Sequence, residues 1–261
     1  MDSNDNGGTS GGVTRRSFLV GGAAAVAAGA ALRCLPGVEG EWKAGGGKIC
    51  AWTEPSVAMS YPAQAGRVLE VDSPALVTGT PPKVAETEAA SAIKKLLLAL
   101  TGAASLPAAW GQILTGWKAE HVVGIKVNVL SKRVPTHKEA VRALVQLLRD
   151  HGGVAADNIL VWDRRLDELT AAGFTEAYLG CRVEGTQDDA KAKGASRGYE
   201  LGPTCIGGQN THLSNIQTRA IDHLINFSVM KNHKASGFTG CMKNHYGTID
   251  NPGEYHDQTG E

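Results

Sequence analysis

Three short apolar runs rich in β-forming residues constrain the fold of this chain more than any other feature. They cover His121–Val129, Asn158–Asp163 and Ile221–Met230. Between the first two runs, His137–His151 places apolar side chains at three- and four-residue spacing, as an amphipathic helix does. Strands that alternate with helices at this spacing are typical of an α/β fold with a mostly parallel sheet. The sequence therefore predicts a Rossmann-like, three-layer domain with flanking helices.

Further helix signals support this interpretation. Residues Val84–Leu100 show the same periodicity and predict a helix before the first run. Thr136, followed three residues later by Glu139, forms a capping-box pattern, so the Thr136 side chain is predicted to cap the second helix. The polar, glycine-rich stretch 181–215 has no long periodicity, and no strand is predicted there.

The N-terminal region is typical of an export signal. A polar lead-in is followed by Arg15-Arg16 and then by the uncharged, Ala- and Gly-rich stretch Phe18–Leu32. The arginine pair with its Ser-Phe-Leu continuation resembles a twin-arginine signal, which predicts recognition by the twin-arginine export machinery and a periplasmic or other extracytoplasmic location. The predicted organisation is a disordered N-terminus and signal peptide over 1–40, a linker leading into the domain over 41–66, and a single α/β domain over 67–261.

Charge and cysteine content exclude several classes of protein. The 26 Lys and Arg residues balance the 26 Asp and Glu residues, whereas a nucleic-acid-binding protein usually carries a basic excess. The chain contains no apolar run long enough to predict a stable membrane span. None of the five cysteines forms a C-x-x-C pair, so the chain has no iron–sulfur cysteine motif. Disulfides and buried free thiols are both compatible with the cysteine spacing.

Candidate site residues follow from the rule that parallel sheets bind ligands beyond the carboxyl ends of their strands. Residues 223–249 contain no Asp or Glu but three lysines, a local cationic patch suited to a carboxylate or phosphate. We interpret the third strand as ending at Lys231-Asn232-His233. His233 is the predicted proton-transfer residue, with Asp163 as its charge partner. The predicted ligand-binding residues are Lys126, Asn128, His137, Lys231, Lys243 and Asn244.

Other interpretations of the same residues stay open. Asp163, His233, His245 and His256 are the candidate ligands of a metal ion, although their spacing does not enforce a site. A metal- or redox-cofactor-dependent periplasmic oxidoreductase is one alternative, and a non-enzymatic accessory protein is another. A solvated basic loop with no ligand is the simplest alternative. The cofactor, if there is one, is unknown from the sequence.

Several blocks of sequence resemble a known family. The blocks are Gly124–Asn128, Thr136–Leu144, Leu147–Gly152, Val161–Arg164, Asp222–His233 and Thr239–Gly247. They resemble the family catalogued as domain of unknown function number 362, over roughly residues 65–261. Ser228 stands where the family pattern has proline. The family domain is also longer, so the chain resembles a C-terminally truncated member.

The resemblance implies an association with export and cofactors rather than a reaction. Members commonly carry twin-arginine leaders, and some carry ferredoxin-type iron–sulfur clusters. An iron–sulfur or metal association is therefore implied, although this chain lacks the cysteine motif for such a cluster. Because the family has no settled activity, it supplies no substrate.

Overall fold

The computed structural model describes residues 18–20, 68–80, 83–187, 198–206, 209–233 and 237–255, with the first segment described by its backbone alone. The predicted signal peptide therefore lies outside the described residues except for Phe18–Val20, and the predicted linker 41–66 lies outside them entirely. The metal-ligand candidate His256 also lies outside the described residues.

The described residues form short strands and helices. The strands are β1 (Phe18–Val20), β2 (Leu69–Val71), β3 (Val77–Thr78), β4 (Lys83–Val84), β5 (Val123–Lys126), β6 (Ile159–Asp163), β7 (Arg182–Gly185), β8 (Thr204–Ile206), β9 (Gln209–Thr211), β10 (His223–Asn226), β11 (Lys231–His233) and β12 (Gly237–Thr239). The α-helices are α1 (Glu86–Thr101), α2 (Leu106–Ile113), α3 (Lys138–Gly152), α4 (Leu166–Ala171), α5 (Glu176–Leu179) and α6 (Cys241–Asn244). Single turns of 3₁₀ or π-helix cover Ala156–Asn158, Ile216–Ala220, His245–Thr248 and Pro252–Tyr255.

A four-stranded parallel sheet forms the centre of the domain, in the order β10-β5-β6-β7. The three predicted strands are confirmed, with β5 between β10 and β6. The fourth strand, β7, was not predicted. In this edge strand Arg182 and Glu184 face outward and form an ion pair at 2.6 Å, so only alternate residues are buried. A four-residue, half-polar strand is difficult to distinguish from a loop by periodicity.

Both faces of the central strands are covered, which explains their nearly continuous apolar sequence. Every residue of β5 and β6 is buried. On one face Ile125 and Val161 belong to the main core, which they share with α1, α2 and α3. On the other face Leu160 and Trp162 pack with Ile216 of the π-helical turn. The α/β fold class is thereby confirmed.

The predicted capping box at the start of α3 is wrong. The N-cap residue of α3 is His137, and no side chain caps the helix there. The Thr136 hydroxyl instead accepts a hydrogen bond from the Asn128 backbone N–H at 2.9 Å and donates to the Phe227 carbonyl at 3.2 Å. This hydroxyl therefore ties the segments that follow β5 and β10, an interaction between positions distant in sequence that the capping pattern could not reveal.

The third predicted strand is too long. Strand β10 ends at Asn226, and the next residue, Phe227, donates its backbone N–H to the Lys126 carbonyl at 2.8 Å. The chain then leaves the sheet. Lys231–His233 forms a separate antiparallel hairpin with Gly237–Thr239. Lys231–His233, predicted as the end of the third strand, thus lies on a hairpin next to the sheet. The prediction overshot because the apolar run continues past the residue where strand pairing stops.

The remaining strands form small antiparallel pairs, β1 with β2, β3 with β4 and β8 with β9. Among the described residues, no single helix combines the length and apolarity needed to cross a membrane. Helices α1 and α2 reach that threshold only when taken together, and they are bent by 64° relative to each other.

Candidate functional site

Polar residues end three neighbouring strands of the sheet at the same level. Asn226, the last residue of β10, is in register with Lys126, the last residue of β5. Asp163 is the last residue of β6, one position beyond Trp162, which is in register with Lys126. Because ligands of open parallel sheets bind at this edge, the three side chains mark the candidate site.

Lys126 and Asp163 form a buried ion pair at the centre of this edge. The Lys126 Nζ atom lies 2.5 Å from Asp163 Oδ1, and the two side chains are 1% and 6% exposed. Asp163 also accepts hydrogen bonds from the backbone N–H groups of Arg164, at 2.8 Å, and Val129, at 2.9 Å. The carboxylate therefore has partners on both oxygens, which compensates for its removal from water.

The Lys126 ammonium uses all three of its N–H donors within the protein. Besides Asp163, it donates to the Val127 carbonyl at 2.9 Å and to Asn244 Oδ1 at 3.3 Å. An ammonium has three donors and no acceptor. Lys126, predicted from the sequence to hold a ligand directly, is therefore a buried residue that positions Asn244.

Asn244 connects the ends of β5 and β10. Its Nδ2 donates to Asn226 Oδ1 at 2.8 Å and to the Lys126 carbonyl at 3.3 Å. Its Oδ1 accepts from Lys126 and, at 3.4 Å, from Asn128 Nδ2. The residue is 2% exposed. A buried amide with partners on both ends is held in one orientation, so Asn244 fixes the geometry of the residues around it.

Gly247 covers the ion pair. It lies in the 3₁₀ turn His245–Thr248, directly after α6. A Cβ atom at this position would lie 3.0 Å from both Asp163 Oδ1 and Lys126 Nζ. The backbone therefore approaches the pair so closely that an added Cβ would force one of the two side chains to shift, and this contact helps to cover the pair from solvent.

Lys231 adds a second cation to the edge. It reaches from the hairpin to Asn128, donating from Nζ to Oδ1 at 3.1 Å. Burial lowers the pKa of the Lys231 ammonium below its usual range, and the negative charge of Asp163 opposes that shift. Within the described residues Lys231 has no second acceptor, so two of its N–H donors remain for a ligand or water. The network of Lys126, Lys231 and Asp163 carries two positive charges and one negative charge.

His245 lies on the other side of the network. Asn226 Nδ2 donates to the Cys241 carbonyl at 2.8 Å and approaches His245 Nε2 at 3.0 Å. Because the amide nitrogen is the donor, Nε2 acts as the acceptor, which is the neutral form of the ring. Burial, together with the positive charge of Lys126, lowers the pKa of His245. Both observations favour a neutral imidazole near pH 7.

The other predicted residues are less closely connected to this network. Lys243 places its Nζ 4.7 Å above the ring of Tyr246, in a cation–π arrangement. His137 is the N-cap residue of helix α3 and directly follows Thr136, whose hydroxyl links the segments after β5 and β10. His233 stands two residues beyond Lys231 on β11, so both project from the same face of the hairpin. Asp163, expected to pair with His233, forms its ion pair with Lys126.

The described residues bring no three His, Cys, Asp or Glu side chains together at a distance suited to a metal ion.

The cysteines among the described residues differ in their bonding state. Cys181 and Cys241 are free thiols, and Cys205 is disulfide-bonded. The Oγ atom of Ser228, the residue that stands where the family pattern has proline, lies 3.2 Å from the Sγ atom of Cys241.

Two residues of the site were missed in the sequence. Asn226 would have been selected by the strand-end rule if the end of β10 had been placed correctly. The extended apolar run, which continues to Met230, concealed it. Gly247 gave no signal, because its role depends on two side chains more than 80 positions away in the chain.

The comparison with known proteins matches the part of the chain that carries the site. The model of the DUF362 family, described as a domain of unknown function, matches residues 123–261. The match begins at the first residue of β5 and includes every residue of the network. No curated protein and no solved structure matches the chain.

Proposed function

Given that this chain belongs to the DUF362 family, whose description names no activity, we propose from the site itself that the domain binds a small anionic ligand on Lys231. The observation that carries the proposal is the charge balance of the network. Lys126 and Lys231 face one carboxylate, Asp163, and Lys126 already uses its donors on protein acceptors. An anion on Lys231 would balance the remaining positive charge.

The surroundings of Lys231 favour a carboxylate or a phosphate. The ammonium is held by Asn128, which is in turn held by Asn244, so the cation is positioned before a ligand arrives. Binding that requires less ordering of the site loses less affinity to entropy. Partial burial strengthens the attraction between Lys231 and an anion because fewer water molecules screen the charges.

His233 is the proton-transfer residue of this proposal. It projects from the same face of β11 as Lys231, next to the position where the anion would lie. Asp163, the predicted charge partner of His233, instead forms an ion pair with Lys126. The neutral His245 is less suited to accept a proton, because its basic nitrogen, Nε2, already accepts a hydrogen bond from Asn226.

The proposal is tested by ligand-induced stabilisation. A ligand that binds only the folded protein raises the unfolding temperature by mass action. Inorganic phosphate and succinate are the probes, compared with sodium chloride at equal ionic strength. The Lys231→Met variant keeps the apolar stem and should lose the stabilisation. Lys94→Met, on the exposed face of α1, should keep it.

Equal responses of the two variants, or a wild-type response no larger than that to sodium chloride, would refute the proposed anion site. A stabilisation by transition-metal ions that is lost in His233→Ala would favour the metal-dependent alternative instead. A protein partner recovered in equal amounts from periplasmic extract, with no response to either probe, would favour the accessory-protein alternative.

Export by the twin-arginine route is a further part of the proposal. It is supported by Arg15-Arg16 ahead of the Ala- and Gly-rich stretch and by the disulfide at Cys205. Disulfides persist in oxidising compartments such as the periplasm. Expression in a bacterial host with an intact twin-arginine translocase tests it. The Arg15→Lys and Arg16→Lys double variant should remain in the cytoplasm, and periplasmic recovery equal to that of the wild type would contradict the proposal.

A further inference from the structure

The hydroxyl of Thr239 is fully buried and has no hydrogen-bond partner among the described residues. Thr239 is the last residue of β12, and it is 2% exposed. Its Oγ1 atom is closed to solvent. A buried hydroxyl without a partner raises the free energy of the folded state. Because nearly all buried polar atoms in folded proteins are paired, a ligand that reaches this hydroxyl would gain a hydrogen bond at no cost to the protein's own bonds.

Strand register places this hydroxyl beside Lys231. Thr239 is the residue directly opposite Lys231 in the antiparallel pair β11–β12. Residues opposite each other in such a pair project from the same face, with Cβ atoms about 4.5–5.5 Å apart. The next pair, Asn232 and Phe238, projects from the other face, and both of its members are exposed. Lys231 and Thr239 therefore share the inner face of the hairpin.

The inner face of the hairpin belongs to the anion site. Lys231 donates from Nζ to Asn128 Oδ1 at 3.1 Å. On the other strand of the hairpin, Thr239 is followed by Gly240, whose carbonyl accepts the Asn244 backbone N–H at 3.1 Å. Asn128 and Asn244 are themselves bonded to each other. The strand pair that carries Lys231 and Thr239 is thus joined at both strands to the same polar network.

The number of hydrogen-bond donors on this face indicates the class of ligand. Lys231 uses one of its three N–H donors on Asn128. The other two, together with the Thr239 hydroxyl, make three donors on one face. A phosphoryl group presents three terminal oxygens that are strong acceptors, whereas a carboxylate presents two. A phosphoryl group therefore matches this set of donors better than a carboxylate does.

The hairpin can admit such a ligand without disturbing the central sheet. Since Thr239 Oγ1 has no solvent exposure in the free protein, a small displacement of the hairpin must accompany binding. Strands β11 and β12 pair with each other and with no strand of the four-stranded sheet. Lys231 is only half-buried, so solvent already reaches this residue of the inner face.

We propose that Thr239 is a ligand-binding residue of the anion site, and that its hydroxyl donates a hydrogen bond to a phosphoryl group held by Lys231. The inference rests on the proposed anion site and deepens it, because it adds a residue and names the ligand class as phosphate or a phosphate monoester. In the free protein the hydroxyl contributes nothing to stability, and in the complex it gains its partner.

Thermal unfolding of the full chain with inorganic phosphate tests the inference, with succinate and sodium chloride at equal ionic strength as comparison probes. Phosphate should raise the unfolding temperature of the wild type more than succinate does. The Thr239→Val variant should bind phosphate about tenfold more weakly, from the loss of one hydrogen bond to a charged group. Without phosphate it should unfold at or above the wild-type temperature, because no existing hydrogen bond is broken. Thr239→Ser keeps the hydroxyl and should keep the phosphate response.

Thr211→Val is the matched control. Thr211 is also fully buried, but its hydroxyl bonds to Asn251 and to the Tyr255 hydroxyl. The control variant should therefore unfold at a lower temperature than the wild type and should keep the shift that phosphate causes. Opposite changes in the two variants distinguish a hydroxyl that serves a ligand from one that serves the fold.

The inference would be overturned if Thr239→Val kept the wild-type response to phosphate. It would also be overturned if, without phosphate, this variant lost as much stability as Thr211→Val does. A wild-type response to succinate as large as that to phosphate would overturn the assignment to a phosphoryl group. If Lys231→Met loses the phosphate response and Thr239→Val keeps it, the anion site stands and only the role of Thr239 falls. If the wild type responds to neither probe, the anion site itself is refuted.

Discussion

Lys126 and Asp163 meet through a 2.5 Å contact between Nζ and Oδ1 beneath the backbone of Gly247. They end neighbouring parallel strands and are both almost fully removed from solvent. The attraction within such a pair offsets the cost of burying two charges only if each charge keeps its partner and its hydrogen bonds. Single substitutions at or next to this pair should therefore lower the stability of the folded protein.

Lys126→Met should lower the free energy of unfolding by about 3–5 kcal/mol, because it leaves the buried Asp163 carboxylate without its partner. Urea unfolding measures the change. Lys243→Met is the matched control, since Lys243 is only half-buried and contacts Tyr246 rather than a carboxylate. Its expected change is below about 1 kcal/mol. Equal changes in the two variants would contradict a structural role for the pair.

Gly247→Ala should lower the free energy of unfolding by about 1–3 kcal/mol, the usual cost of adding an atom to a well-packed interior. The added Cβ would lie 3.0 Å from atoms of Lys126 and Asp163. Gly253→Ala provides the comparison, because a Cβ at position 253 meets no atom within 4 Å. If thermal unfolding shows the same midpoint for both variants, the close packing over the pair is not as described.

Thr136→Val should lower the free energy of unfolding by about 1–3 kcal/mol, because the methyl group leaves the Asn128 N–H and the Phe227 carbonyl without their partner. Thr170→Val removes a hydroxyl that bonds within the exposed helix α4 and should cost less. Because Thr136 joins the two strand ends, its loss should also weaken phosphate stabilisation of the anion site. Wild-type behaviour in both measurements would argue that the link is dispensable.

Stability should fall as the pH decreases below about 6.5, the unfolded-state pKa of histidine. Burial lowers the pKa of His223 and of His245 in the folded protein, with His121 and Lys126 respectively adding to the effect. Between the lowered folded value and the unfolded value, the unfolded chain binds more protons, so protonation favours unfolding.

Urea unfolding between about pH 5 and pH 8 measures this slope. The His223→Gln variant should have a shallower slope than the wild type, because one of the two titrating rings is removed. An unfolding free energy that does not depend on pH over this range would refute the prediction.

The Cys181 thiol should resist alkylation in the folded protein. Burial is the main cause that raises its pKa to about 12, and the thiolate is the form that reacts with iodoacetamide. Mass spectrometry of peptides after brief labelling should show modification at the half-buried Cys241 before Cys181. Labelling of both in urea serves as the positive control, and rapid native labelling of Cys181 would count against its burial.

The strand-end rule found part of the site from the sequence alone because apolar runs and helix periodicity are local properties. They predicted β5, β6 and β10 as parallel strands, and with them the proximity of Lys126 to Asp163. The family resemblance, based on the blocks around these strands, is confirmed by the match over residues 123–261. Helix α1 also follows its predicted bounds closely, from Glu86 to Thr101.

Tertiary structure alone decided what each of those polar residues does. Sequence could not show that Lys126 is buried, because Asn244, which accepts one of its hydrogen bonds, is 118 positions away. Nor could it show that β10 stops at Asn226 while the apolar run continues, since strand ends depend on pairing with a neighbour. Periodicity reports which residues leave water, whereas the role of a buried charge depends on partners that only the folded chain brings within hydrogen-bonding distance.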